Sequence, residues 1–192
     1  VQRSLDRVLI GDGRAADSAI STFWTSLRET GTRAHPPIAM IHIDPARPLD
    51  AQNHSIEEMK PDIKSVLKAW SPHLQIGPKG PAVLLDLSPR LDSVQRAMID
   101  GVLEATFPGI SRTWEWLSRG GGRIDRLSVW VGSLSSDSSR RCIRVGRKHI
   151  MAIMEGEGSA TNSISFNSAL EVPTGAYLTI VDPALIESGL QD

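Results

Sequence analysis

Three times before Phe107 the chain sets down a short apolar run, breaks it with an acid, a serine or a proline, and continues with apolar residues at helical spacing. "RVLIG" (7–11) precedes Ile20, Phe23, Trp24 and Leu27, with Asp17 or Ser18 as the expected N-cap. "PIAMIHI" (37–43) precedes Ile63, Val66, Leu67 and Trp70, with Pro61 in the first turn. "AVLLDL" (82–87) precedes Val94, Ala97, Met98, Val102 and Ala105 behind an Asp92 or Ser93 cap. A strand period that switches to a helical one and back is the pattern of βα units. It predicts an α/β chain with a mostly parallel sheet. Runs as apolar as "AVLL" suit strands with helices on both faces, which makes the expected sheet open and doubly wound.

After residue 110 the pattern changes. "TWEWLSRGGGRIDRLSVWVGS" carries a Gly-rich break, and "RRCIRVGRKHIMAIMEGEG" reads as one long or bent strand. Beyond it come short strand candidates, "SISF" and "AYLTIV", and a short helix from Pro183. Strand-rich structure with antiparallel pairing is expected there.

With 192 residues, 40% of them hydrophobic, the chain can bury a real core. A formal net charge of −1 excludes a uniformly basic nucleic-acid binder, yet residues 112–148 hold nine basic groups against three acids. That stretch reads either as a solvated face or as a phosphate-facing patch. Cys142 is the only cysteine, so an intrachain disulfide and a CxxC metal knuckle are excluded, and a reducing, cytoplasmic setting is expected. No apolar run approaches the ~20 residues of a membrane span. The chain opens at Val1 directly before a strand-like stretch, and the expectation is that a preceding part belongs to the fold.

In open α/β sheets ligands sit beyond the carboxyl ends of the strands, so the polar residues after each apolar run are the candidates. Asp12 reads as an acceptor for an adenine amino group or as a loop or cap acid. Asp44, after "MIHI", either forms a salt bridge with Arg47 that braces the loop or, aimed by the rigid Pro45, orients an acceptor in the cleft. Ser88-Pro89-Arg90 repeats the design one strand later. "SRGGGR" (118–123) lets backbone approach a phosphate between Arg119 and Arg123, or serves as a flexible cap after a helix. The five histidines show no metal-ligand spacing, and no G-x-S-x-G elbow exists. "GDGRAA" (11–16) satisfies the dinucleotide pattern, although Asp12 and Asp17 would place acids around a pyrophosphate loop.

In order along the chain, "VLIGDG", "IHIDPARP", "EEMKPDI", "AVLLDLSPRLD", "SRGGGRIDRLSVWVG", the "RR" of "RRCIRV" and "GAYLTIVDPALIESGL" resemble the later part of the THUMP-like class I S-adenosylmethionine-dependent methyltransferases. The resemblance covers nearly the whole chain and implies a partial Rossmann-like methyltransferase core over 1–154 and a small THUMP-like C-terminal module over 155–192. It implies that residues 7–11 form the third strand of a seven-stranded Rossmann-like sheet and "DPAR" ends the fourth. Gly11 and Asp12 would then contact the cofactor, S-adenosyl-L-methionine. Asp44 and the Pro45 carbonyl would orient the acceptor with Arg47, and Ser88, Arg90, Arg119 and Arg123 would hold substrate, with RNA as the expected partner. Ala46, Arg47 and Pro48 depart from the pattern, and the first-strand glycine loop and second-strand acid have no counterpart in these residues. The resemblance therefore implies a sheet incomplete at its N-terminal side, complemented by a missing N-terminal half or a second subunit. A non-catalytic nucleotide- or RNA-binding module and a dinucleotide-dependent oxidoreductase stay open beside it.

Overall fold

The computed structural model describes residues 12–28, 37–46, 56–147, 149–158 and 181–190, and the architecture below is that of these residues. Four helices, α1 (Ala16–Arg28), α2 (Ile63–Trp70), α3 (Ser93–Thr106) and α4 (Pro183–Ser188), accompany seven strands. The strands are β1 (Ile41–Ile43), β2 (Ile76–Gly77), β3 (Gly80–Leu87), β4 (Arg112–Ser118), β5 (Ile124–Gly132), β6 (Arg140–Val145) and β7 (Ile150–Gly156). They form one open mixed sheet in the order β1-β3-β5-β4-β6-β7, with β2 paired to β3.

The chain is α/β as expected, but the sheet is not mostly parallel. Only β1–β3 and β4–β6 run parallel, and the remaining pairings are antiparallel. Connection length decides this. Parallel neighbours need a crossover of a dozen or more residues, which α2 supplies between β1 and β3, whereas the glycine segment 119–123 is short enough only for a hairpin between β4 and β5. "SRGGGR" therefore follows a strand rather than a helix, and its three glycines take the left-handed φ values 82°, 69° and 76° that close the turn. The "RRCIRVGRKHIMAIMEGEG" stretch is likewise two strands, folded back where the Gly146 N–H donates to the His149 carbonyl.

The two faces of the sheet differ by strand alternation. On one, Ile43, Leu85, Val129 and Trp114 stand side by side, as do Leu87, Leu127, Trp116 and Cys142 in the neighbouring row. Against these pack Met59, Ile63, Val66 and Leu67 around α2, Ile99 and Leu103 of α3, and Ala184 of α4. On the other face runs a row of polar residues, Asp86, Ser128, Glu115, Arg141 and Glu155, one from each of β3, β5, β4, β6 and β7. The core helices thus lie on a single face, and the doubly wound arrangement is not seen among the described residues. The α2 stripe is as expected, and its Asp62 cap accepts the Ser65 N–H at 2.8 Å. In α3 the expected stripe is displaced. A capping box between Asp92 and Gln95 starts the helix where predicted, but Ile99 and Leu103 face the core, leaving Val94 67% and Met98 48% exposed. No described helix is long and apolar enough to cross a membrane.

Candidate functional site

β1 and β3 are parallel neighbours, so their carboxyl ends, Asp44-Pro45 and Ser88-Pro89-Arg90, emerge side by side. At the β1 tip a cavity of about 520 Å³ is bounded by Gly13, Met40, His42, Asp44, Val66 and Trp70. The loop before α1 is held there by the Trp70 indole, whose Nε1 donates to the Gly13 carbonyl at 2.7 Å. Asp44 is exposed rather than buried, and its carboxylate has no hydrogen-bond or ion-pair partner among the described residues. Pro45 is half-buried, and the Ala46 carbonyl accepts the Lys60 N–H at 2.9 Å, which pins the chain just past the acid. Arg47, its expected partner, and Gly11 lie outside the described residues.

Asp12 stands at the same end of the molecule but is taken up by Arg14. The guanidinium donates to both carboxylate oxygens, at 2.6–3.1 Å, and the Arg14 backbone N–H adds a contact at 2.9 Å. These bonds to the ionised form bring the Asp12 pKa down to about 2.

At the β3 tip Ser88 shapes its own loop, its Oγ accepting the Arg90 N–H at 3.2 Å. The loop opens on a cleft of about 860 Å³ shared with the β4–β5 hairpin, where Arg90, Arg96 and Arg123 meet Asp92, Asp125 and Glu187. Arg96 is held by the Leu91 carbonyl, by Glu187 at 3.4 Å and over the Trp116 ring at 5.7 Å. Arg119 and Arg123 are 75% and 80% exposed and both reach Asp125, at 3.1 and 3.4 Å. Asp125 Oδ2 nevertheless lacks a directed hydrogen bond, so the Arg119 contact is one of charge rather than of donor geometry. Two guanidinium groups on one carboxylate leave an excess positive charge at the hairpin tip.

The basic stretch 112–148 does not form one patch. Arg112 pairs with Asp100 and Glu104, Arg141 with Glu115 and Glu155, and Arg144 with Asp182, while Arg140 donates to the Ser188 carbonyl. Near the β3 tip Arg119 and Arg123 share Asp125, and Arg123 lines the cleft together with Arg90.

One arrangement escaped the sequence reading. His42 Nε2 lies 2.9 Å from Asp86 Oδ2, and the Ser128 hydroxyl donates to Asp86 Oδ1 at 2.6 Å. The order is Ser–Asp–His, with the acid in the middle, so the serine proton is spent on the carboxylate and no serine nucleophile is formed. The available signal was the placing of Asp86 in the apolar run "AVLLDL" and of Ser128 in "LSVWV", since buried polar groups need partners. Cys142 is no nucleophile either. Burial raises its pKa to about 11, and its thiol is directed at the Ala184 carbonyl and Ser188 Oγ, each at 3.0 Å. No group of His, Cys, Asp and Glu suited to a metal ion occurs among the described residues.

No protein-family model, curated protein or solved structure matches the chain.

Proposed function

We propose that the chain is the acceptor-side part of a Rossmann-like class I S-adenosylmethionine-dependent methyltransferase acting on RNA or another nucleotide-containing acceptor. The observation that carries the reading is Asp44: an exposed carboxylate without a described partner, on the rim of a cavity, at the carboxyl end of a parallel strand pair. The strand order supports the finer fold. If "DPAR" ends the fourth strand of the family sheet, β3 would be the fifth, and an antiparallel β5 between β3 and β4 is compatible with that reading, with β6 and β7 extending the sheet further.

The residues at the β1 tip fit an adenosyl group. Ile38, Ile41, Val66 and Trp70 give the cavity an apolar wall, and Asp44 offers acceptor oxygens at its rim. Asp12 contributes to binding only by releasing Arg14. S-adenosylmethionine, when bound, supplies a methyl group activated by its sulfonium. The protein then has to hold the acceptor in line and manage its proton, tasks for Asp44 and the Pro45 carbonyl, with Arg90, Arg119 and Arg123 toward the acceptor's phosphates.

Calorimetric titration of the chain with S-adenosylhomocysteine and, separately, NAD tests the reading. Saturable binding of the first without the second is expected. NAD binding alone would move the assignment to a dinucleotide-dependent oxidoreductase using residues 11–16, and binding of RNA with neither nucleotide would leave a non-catalytic RNA-binding module.

A further inference from the structure

We infer that His42 and Asp86 form a proton-accepting dyad at the β1 cavity, in which Asp86 positions the imidazole and His42 Nδ1 takes the proton of a hydroxyl or N–H acceptor. Asp86 is 9% exposed and accepts at both oxygens, from Ser128 at 2.6 Å and His42 at 2.9 Å, with Arg126 Nη1 3.6 Å from Oδ2. A carboxylate used as an acceptor requires the neutral His42 ring to carry its hydrogen on Nε2, and that leaves the basic lone pair on Nδ1. Nδ1 has no partner among the described residues, the side chain is 47% exposed, and His42 is among the residues that border the cavity with Asp44.

The inference rests on the methyltransferase reading only for the origin of the proton. As the acceptor atom gains its bond to the methyl carbon, its proton passes to Nδ1, and the electron pair of the carbon–sulfur bond departs with sulfur. The resulting imidazolium is balanced by Asp86, which is why the dyad selects acceptors that must lose a proton, such as a ribose hydroxyl or an exocyclic amine, over an aromatic nitrogen that bears none.

The test uses ¹⁵N NMR of the histidine rings and carbethoxylation with diethyl pyrocarbonate, neither of which needs a methyl donor. Neutral His42 is expected as the Nε2-protonated tautomer and is expected to react several-fold faster than N-acetylhistidine amide. Asp86→Asn should mix the tautomers and remove the excess reactivity, and His42→Gln should delete the modified site. Should Asp86→Asn fail to fold, the tautomer and relative rate in the unaltered chain still decide. An Nδ1-protonated ring, or reactivity no greater than the model compound's, would overturn the dyad. Saturating S-adenosylhomocysteine should protect His42, and unchanged reactivity in the ligand-bound protein would place the dyad outside the site and overturn the inference. Absence of nucleotide binding would instead overturn the methyltransferase reading while the tautomer and rate still judged the dyad.

Discussion

Two side chains show how differently a charge behaves at the tip of a strand and within the sheet. Asp44 is solvated and has no described partner, so Asp44→Asn should leave stability within about 0.5 kcal/mol of the parent, and under the proposed methyltransferase function it should lower methyl transfer to RNA by about 10²-fold or more. Unchanged transfer of labelled methyl would remove Asp44 from the mechanism. Arg141 is the opposite case. Its Nε is 2.7 Å from Glu115 Oε2, whose side chain is only 7% exposed, its Nη1 is 3.5 Å from Glu155, and its guanidinium lies 5.6 Å over the Trp130 ring. Arg141→Met strands a buried carboxylate and should cost about 3–5 kcal/mol in urea unfolding, whereas adding Glu115→Gln should recover most of that loss. If the double variant is as unstable as the single one, packing on Trp130 rather than charge explains the site. The sequence left both open, reading Asp44 as a loop brace or an acceptor-orienting group and Arg141 as part of a solvated face or a phosphate-facing patch. Burial and pairing depend on which strand comes to lie alongside, and that is a long-range fact.

Elements were legible where a local signal fixed them. The Asp92 cap of α3 and the apolar stripe of α2 follow from nearby residues, whereas Pro61, expected in the first turn of α2, precedes its Asp62 cap. Hairpins were missed because strand direction depends on connection length and on pairing partners, and the α3 stripe was misplaced because Val94, Ala97, Met98 and Ala105 have helical spacing as good as that of Ile99 and Leu103. Two glycines measure this difference between local and non-local constraint. Gly101 is inside α3, where an added methyl group would meet nothing within 4 Å, so Gly101→Ala should stabilise by about 0.5–1 kcal/mol. At Gly132 φ is 63° and a Cβ would sit 2.0 Å from the Pro81 carbonyl oxygen, so Gly132→Ala must push β5 off the start of β3 and should cost at least about 2 kcal/mol. Thermal unfolding of the two variants should move in opposite directions. The α2 cap adds a pH dependence. Hydrogen bonds from the Ser65 hydroxyl and N–H lower the Asp62 pKa, so its contribution is present above the unfolded value of about 3.9 and is lost as pH falls through the lower folded value. The stability difference between the parent and Asp62→Ala should therefore shrink in acid, and a difference constant from neutral pH to well below that range would show that the carboxylate's charge is not what caps the helix.

At the scale of the whole molecule, one sheet presents an apolar face to its helices and a polar row to the other side, and it ends at β7. That strand, "IMAIMEG", pairs with β6 along one edge and has no second strand neighbour among the described residues. Its exposed apolar groups lie on both faces: Ile153 at 53% and Met151 at 61% on one, Met154 at 44% and Ile150 at 54% along the rest of the strand. No lysine, arginine or proline interrupts it, and Gly156 falls at its end. An edge of this kind offers unpaired N–H and C=O groups flanked by apolar side chains, the combination that natural edge strands blunt with charge. The chain should therefore self-associate with increasing concentration. Ile153→Lys places a charge on the polar-row face of the edge, opposite Ile143, where a second strand would have to bury it. Because Ile153 is already half exposed, the change should cost no more than about 1 kcal/mol of stability. Sedimentation velocity over a concentration series should show the variant monomeric where the parent associates, with near-equal thermal midpoints. Equal association of the two proteins would move the contact elsewhere, and the exposed Val94 and Met98 on α3 would be the next surface to charge.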